Sequence, residues 1–142
     1  MLYFRRCVYR RFYLDEPDSG PVRALAEDAG EVACCLHGRI EVVTVFHRKL
    51  RERAFPPKSF AALCAQFEAD CDSAIWEWLP ITAALVVSLS ERLRHLPASV
   101  LIRASDALHL ASALEQGFNR IYSNDRRLIA AASHFGLRGE TV

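Results

Sequence analysis

Three acidic residues occupy similar positions in this sequence. Asp106 opens the segment SDALHLASALEQG, Asp125 opens DRRLIAAASHFG, and Glu41 stands near the start of RIEVVTVFHRKLRER. The apolar residues of these segments recur at helical spacing, so each segment is predicted to form a helix. Asp106 and Asp125 also lie in line with the apolar row of their helix, which predicts that both lie at the rim of the core.

Three such carboxylates could bind a divalent metal ion. Asp125 directly follows the predicted strand RIYS, and Glu41 follows the predicted strand EVACCL by a few residues. In open parallel sheets, ligands bind beyond the carboxyl ends of the strands, so we expect the three acids to converge there. Mg²⁺ or Mn²⁺, which carboxylate oxygens and water hold, would relieve their mutual repulsion. An ion of this type can activate a water molecule and stabilise an in-line displacement at phosphorus.

A simpler interpretation is that the three acids are unrelated helix caps. Acidic side chains are favoured in the first turn of a helix because the N–H groups there lack partners. For the helix of Asp106, Ser105 is the predicted N-cap and Gly117 is the predicted C-terminal stop. The spacing of the residues leaves both interpretations open.

The elements that must position these acids alternate between strands and helices. Strands are predicted at LYF, EVACCL, WEWLPI and RIYS, with WEWLPI at an edge of the sheet because Pro80 cannot donate a ladder hydrogen bond. Further helices are predicted at RRCVYRRFYL, VRALAEDAG, FAALCAQFEADCDSA and AALVVSLSERLRHL. The pattern predicts an α/β fold in which helices flank a small, mostly parallel sheet.

The composition predicts one globular domain over residues 1–142, because 51% of the residues are apolar and only 25% are charged. A formal net charge of +1 predicts no overall attraction to nucleic acid, so such a partner would have to meet a local basic patch. The candidate patches are FRRCVYRR and HRKLRER, although either could equally be a solvated helix face.

The cysteines and the apolar stretches predict a cytoplasmic protein. The five cysteines form neither a C-x-x-C motif nor a disulfide framework, so reduced thiols packed as small hydrophobes are expected. The first residues include arginines where a signal peptide would need an apolar run. The longest apolar stretch, ITAALVVSL, is too short to cross a bilayer, so no membrane association is expected.

The order and spacing of three motifs resemble those of the PIN-domain ribonucleases, and especially of VapC-type toxins from bacterial toxin–antitoxin pairs. The segment RASDALHLASALEQGFNRIYSNDRRLIAAASHFGL resembles the C-terminal signature of that family. RIEVVTVFHRKLRE is similar to its glutamate segment, and YLDEPDSGPVRAL is similar to the turn after its first helix. The resemblance covers essentially the whole chain and implies a PIN-like α/β/α sandwich.

Position by position, the metal-binding acids of that family correspond to Glu41, Asp106 and Asp125. The resemblance therefore implies an endoribonuclease that depends on Mg²⁺ or Mn²⁺, forms a homodimer, and is held inactive by a cognate antitoxin. Ser123 corresponds to a polar position near the last acid, where its hydroxyl could place a water molecule or a phosphate. His109 is expected to be a packed core histidine and not a catalytic base.

The N-terminus departs from the family pattern. The family has Asp followed by Thr or Ser directly after its first strand, whereas this chain has Arg5 and Arg6 there. An arginine could neutralise the three carboxylates in place of a cation. Alternatively, both arginines could point away and leave a weakened site of three acids.

Two functions remain in competition. The leading interpretation is a VapC-type RNA-cleaving protein whose activity is impaired by Arg5, and the alternative is a catalytically silent PIN domain that acts as an antitoxin-binding or regulatory module. A receiver-like phospho-acceptor domain fits poorly, because the chain lacks an acidic pair after the first strand and a lysine after the last. The apolar residues of FAALCAQFEADCDSA and AALVVSL exceed what one small sheet needs, so a homodimer is expected, with an antitoxin peptide in a neighbouring apolar groove.

Overall fold

A computed structural model describes residues 1–4, 12–14, 19–73 and 76–142. The strands are β1 (Leu2–Tyr3), β2 (Val32–Cys35), β3 (Trp76–Leu79), β4 (Arg120–Tyr122) and β5 (Arg138–Glu140). The α-helices are α1 (Ser19–Ala29), α2 (His37–Arg51), α3 (Pro57–Asp72), α4 (Ala83–Arg94), α5 (Ala104–Glu115) and α6 (Arg126–Ala132), and a 3₁₀ turn, Ser133–Phe135, follows α6. Arg5, Arg6 and most of the helix predicted at RRCVYRRFYL lie outside the described residues.

The described strands are all parallel. β1 pairs with β2, β2 pairs with β3, and β4 pairs with β5. A single parallel bridge between Phe4 and Tyr122 joins the two groups, so the strand order is β3-β2-β1-β4-β5. The predicted small parallel sheet is confirmed, and WEWLPI forms β3 at its edge as expected.

Helices cover both faces of the sheet, which confirms the α/β/α sandwich. In β2, Ala33 and Cys35 belong to a core shared with α4, α5 and α6, whereas Val32 and Cys34 belong to a second core shared with α1, α2 and α3. Every residue of β2 is buried, as expected of a central strand with helices on both sides. This explains why VACC, the part of EVACCL that forms β2, is apolar throughout and does not alternate.

Strand β5 was not predicted from the sequence, because RGE has no apolar alternation. This strand depends on tertiary contacts: Arg120 lies opposite Arg138 in the ladder, and Gly139 lies against the backbone of α6. A Cβ atom at position 139 would lie 2.8 Å from the Cα atom of Ile129. Only a residue without a side chain lets β5 approach α6 this closely.

Within the described ranges, no helix is both long enough and apolar enough to cross a membrane. Of the cysteines described there, Cys34 and Cys35 are buried, and Cys34, Cys35, Cys64 and Cys71 form no disulfide with one another. Burial raises the pKa of the Cys35 thiol above its ordinary value, so that thiol stays protonated and packs as a small hydrophobe.

Candidate active site

The topology brings the helices of all three acids to one edge of the sheet. We call it the carboxyl edge, since the parallel strands end there. α2 follows β2 and α6 follows β4, so both helices begin at this edge. α5 precedes β4 and runs in the opposite direction, so its first turn also lies at the carboxyl edge. The strand order reverses between β1 and β4, and such switch points are where open α/β sheets bind ligands.

Glu41 is buried and hydrogen-bonded to a histidine of another helix. Its side chain lies in the second turn of α2, since that helix begins at His37 and not close to Glu41 as the sequence suggested. Its Oε2 atom lies 2.9 Å from Nε2 of His109, and the two residues are 5% and 0% exposed. Its Oε1 atom lies 3.8 Å from Nε2 of His37. The contact with His109 joins the two helical layers beyond the ends of the strands.

The contact made by Nδ1, the other ring nitrogen of His109, bears on which of the two ring nitrogens carries the proton. The Tyr3 hydroxyl accepts a hydrogen bond from the N–H of Cys35 over 3.1 Å and lies 3.2 Å from Nδ1 of His109. Burial raises the pKa of Tyr3 well above its ordinary value, so the hydroxyl keeps its proton. Because an ionised carboxylate can only accept, Nε2 carries a proton and donates it to Glu41, and in the neutral ring Nδ1 then accepts from the Tyr3 hydroxyl.

His109 is the residue whose role was underestimated from the sequence. It is fully buried, as predicted for a core histidine, but it also orients Glu41. A signal was present in the sequence, because His109 stands three positions after Asp106 and therefore on the same face of α5.

A glycine allows α2 to approach the sheet closely enough for this contact. A Cβ atom at Gly38 would lie 2.5 Å from the Sγ atom of Cys34 and 3.2 Å from the Trp78 ring. Gly38 stands one turn before Glu41, so the close approach sets the depth at which the Glu41 carboxylate lies.

Asp106 is buried in the first turn of α5, with 2% of its surface exposed. The predicted cap at Ser105 was wrong, because the helix begins at Ala104 and Arg103 is the extended N-cap residue. The predicted stop at Gly117 is confirmed. Gly117 has a φ of 77°, and the N–H groups of Gly117 and Phe118 donate to the last turn of α5 in the pattern of a Schellman motif.

Asp125 is the N-cap of α6, so the helix-cap interpretation is confirmed for this acid. Its Oδ1 atom accepts hydrogen bonds from the N–H groups of Arg127 and Leu128, over 2.9 and 3.4 Å. The fully buried hydroxyl of Ser123 accepts the N–H of Asp125 over 3.0 Å and so holds the turn between β4 and α6. As the N-cap of α6, Asp125 lies at the carboxyl edge, beside the switch point.

The donor atoms of this site suit a hard divalent cation. Carboxylate oxygens are the ligands that Mg²⁺ and Mn²⁺ prefer, and the helices of Glu41, Asp106 and Asp125 all begin at the carboxyl edge. Across the described residues, no group of three or more His, Cys, Asp or Glu side chains lies close enough together to hold a metal ion. The three acids therefore offer the kind of ligand atom that such an ion binds. The described side chains do not bring them together as a compact set of ligands.

The chain matches the profile of a known protein family. The PIN domain family profile matches residues 7–133, which include Glu41, Asp106 and Asp125 and leave out Arg5 and Arg6. No curated protein matches the chain.

Proposed function

This chain belongs to the PIN-domain family, and we propose that it is a VapC-type toxin derived from endoribonucleases that use Mg²⁺ or Mn²⁺. PIN domains are generally nucleases and typically use divalent metal ions. Beyond these general properties of the family, the proposal names RNA as the substrate and assigns a role to each of the three acids. It also includes a homodimer and a cognate antitoxin that holds the protein inactive in the cytoplasm.

The observation that carries the proposal is the burial of Glu41 and Asp106 in helices that begin at the carboxyl edge of the sheet. Burying a carboxylate costs free energy unless hydrogen bonds or a cation compensate it. Buried acids in a cleft are therefore more often functional than acids elsewhere on a protein. Both helices also begin near the switch point between β1 and β4, where a ligand would bind.

Each side chain has a distinct part in the proposed reaction. Glu41, Asp106 and Asp125 would be the ligands of the divalent ion, which when bound would activate water and stabilise charge at phosphorus. His109 donates to Glu41 and keeps that carboxylate in one orientation. Ser123 holds the backbone of Asp125, and so fixes where α6 begins.

Arg5 and Arg6 are the reason for proposing that activity is impaired. Where the family has its first acid, this chain has lost an acidic ligand and gained a positive charge. Both changes weaken the binding of a cation to the remaining acids. The alternative function, a catalytically silent PIN domain that binds an antitoxin or regulates a partner, is favoured by the same two arginines.

The test compares this chain with the Arg5→Asp, Arg6→Thr double variant. Mg²⁺ affinity is measured by calorimetry, and cleavage is followed on a labelled RNA. We expect the double variant to bind Mg²⁺ more tightly and to cleave RNA faster than the chain as it stands. Adding Asp106→Asn to the double variant should remove both gains.

Two results would contradict the proposal. Equal metal affinity and equal cleavage in the two proteins would show that Arg5 does not weaken the site. Tighter metal binding by the double variant without RNA cleavage would favour the silent regulatory module.

A further inference from the structure

Two adjoining cavities lead away from the candidate site along α6. The smaller, of about 120 Å³, is lined by Asp106 together with Leu101, Arg103 and Arg127. The larger, of about 300 Å³, is lined by Leu101, Arg126, Arg127, Ala130 and His134 among others. The cavities share Leu101 and Arg127 as lining residues and therefore adjoin, and we call the two together the trough. It begins at a buried acid of the candidate site and ends at the 3₁₀ turn after α6.

Three exposed arginines line the trough. Arg103, Arg126 and Arg127 are exposed, and none of them forms an ion pair with an acid of the described residues. Two neighbouring arginines behave differently, since Arg94 pairs with Glu91 over 3.0 Å and Arg138 pairs with Glu140 over 2.7 Å. Among the described residues, Arg103, Arg126 and Arg127 are thus three exposed, unpaired cations that line one pair of adjoining cavities, in a chain whose formal net charge is only +1.

A further arginine stands at the far end of the trough. The Arg92 guanidinium lies 5.4 Å from the centre of the Phe135 ring, and its Nη1 atom donates to the carbonyl oxygen of His134 over 3.4 Å. These contacts hold the guanidinium beside His134. Glu91, which lines a cavity together with Arg92 and His134, is already paired with His95 and Arg94.

We propose that the trough binds the phosphate backbone of a single RNA strand and leads it to or from the carboxyl edge. This inference rests on the proposed function, because the trough matters for RNA only if the acids at its near end act on RNA. Guanidinium groups match phosphate oxygens with two parallel hydrogen bonds. The side chain of Leu101, 66% exposed, offers an apolar wall for a ribose or a base.

The length of the trough suits a short run of nucleotides. From Arg126 to His134 the helical rise covers roughly 12 Å, which is long enough for more than one phosphate of a single strand. The basic segment HRKLRER, the other candidate patch for nucleic acid, includes the C-terminal end of α2 and therefore lies at the opposite edge of the sheet. It serves as a natural control for a purely electrostatic effect.

The experiment measures RNA binding without RNA cleavage. Fluorescence anisotropy follows a labelled, 2′-O-methylated single-stranded RNA, which resists hydrolysis, in EDTA over a range of salt concentrations. The trough variant is Arg126→Gln with Arg127→Gln, and the matched control is Arg51→Gln with Lys58→Gln, which also removes two exposed positive charges. Gln keeps the helix propensity and the approximate length of the side chains.

We expect the trough variant to lower the slope of log affinity against log salt by roughly 1.4, because each of the two arginines that no longer binds a phosphate of a single strand reduces the slope by about 0.7. At a salt concentration of about 0.1 M, that change corresponds to an affinity on the order of 25-fold weaker. The control variant should change neither quantity comparably. If the trough variant does not fold, Ala130→Glu, which puts a carboxylate on the same exposed wall, should weaken binding instead.

Three results would overturn the proposal. Equally weakened binding in the trough and control variants would mean that RNA responds only to total charge. An unchanged affinity in the trough variant would place the RNA elsewhere. Trough-dependent binding of poly-glutamate, with no trough-dependent binding of RNA, would assign the trough to an acidic protein segment. The experiment measures RNA binding and not cleavage. A trough that does not bind RNA can therefore be distinguished from a protein that lacks the proposed nuclease activity.

Discussion

Nε2 of His109 and Oε2 of Glu41 lie 2.9 Å apart, although the two residues are 68 positions apart in the chain. α2 and α5 pack on opposite faces of the sheet, so this contact ties the two helical layers together at the carboxyl edge. The Tyr3 hydroxyl supports His109 from its other ring nitrogen. The orientation of one proposed metal ligand thus depends on β1, α2 and α5 together.

Replacing His109 should destabilise the protein. In His109→Leu the buried Glu41 carboxylate loses a charge-assisted donor, so we expect the free energy of unfolding to fall by about 2–4 kcal/mol. In His109→Gln the amide can still donate, and the decrease should be smaller. Urea denaturation at neutral pH measures both.

The control is His95→Leu, which breaks an exposed His–Glu pair of 3.1 Å with Glu91. Exposed pairs contribute little, so its free energy of unfolding should stay within about 0.5 kcal/mol of the parent. A His109→Leu protein as stable as this control would show that the buried hydrogen bond does not contribute to stability.

Adding one methyl group at Gly38 should disturb the packing of α2. In Gly38→Ala the new Cβ atom meets Cys34 and Trp78, so we expect the free energy of unfolding to fall by about 1–3 kcal/mol. Gly20→Ala in α1 is the matched control, because no atom lies within 4 Å of its new Cβ. That substitution should leave stability unchanged or raise it by about 0.5–1 kcal/mol. Equal melting temperatures for the two variants would contradict the close approach at Gly38.

Stability should fall when the pH rises above about 10, the ordinary tyrosine pKa. Burial raises the pKa of both Tyr3 and Tyr13, and for Tyr13 the hydrogen bond that its hydroxyl donates to Asp70 raises the pKa further. Above that pH the unfolded chain releases these protons while the folded chain retains them. Each tyrosine then lowers the free energy of unfolding by up to about 1.4 kcal/mol per pH unit.

Urea denaturation between neutral and alkaline pH, under reducing conditions, measures this dependence. Tyr3→Phe and Tyr13→Phe should each flatten the alkaline decline, because each removes one of the retained protons. An unchanged decline in both variants would assign the effect to other groups.

The outer face of α4 should form the proposed homodimer. Val86 and Val87 are 44% and 69% exposed, and Ala83 and Ala84 beside them are also exposed. We expect Val86→Glu with Val87→Glu to give a monomer in light scattering at concentrations where the parent is a dimer, because buried charge opposes association. Ile40→Glu, which changes an exposed apolar residue of α2, should leave the dimer intact. A parent that remains monomeric at high micromolar concentration would contradict the prediction.

The fold was largely predictable because strong local patterns agree with it. EVACCL, RIEVVTVFHRKLRER and SDALHLASALEQG formed the predicted strand and helices, since apolar periodicity and residues such as Gly117 act over a few positions. β5 was missed because RGE has no such local signal and depends on β4 and α6. The beginning of α5 was misplaced because Ser105 offers a cap that the chain does not use.

The sequence by itself determined the acids and their helices, because residue type and helical spacing are local properties. It could not determine that His109 of one layer bonds Glu41 of the other, since nothing local links positions 68 residues apart. Nor could the sequence show which positively charged residues lie close to the acids. HRKLRER is contiguous in the chain, whereas the trough brings together Arg103, Arg126 and Arg127 from two segments. The parallel order of the strands makes α2, α5 and α6 all begin at the carboxyl edge, and it places the basic end of α2 at the opposite edge. This tertiary arrangement decided which charges lie beside the acids.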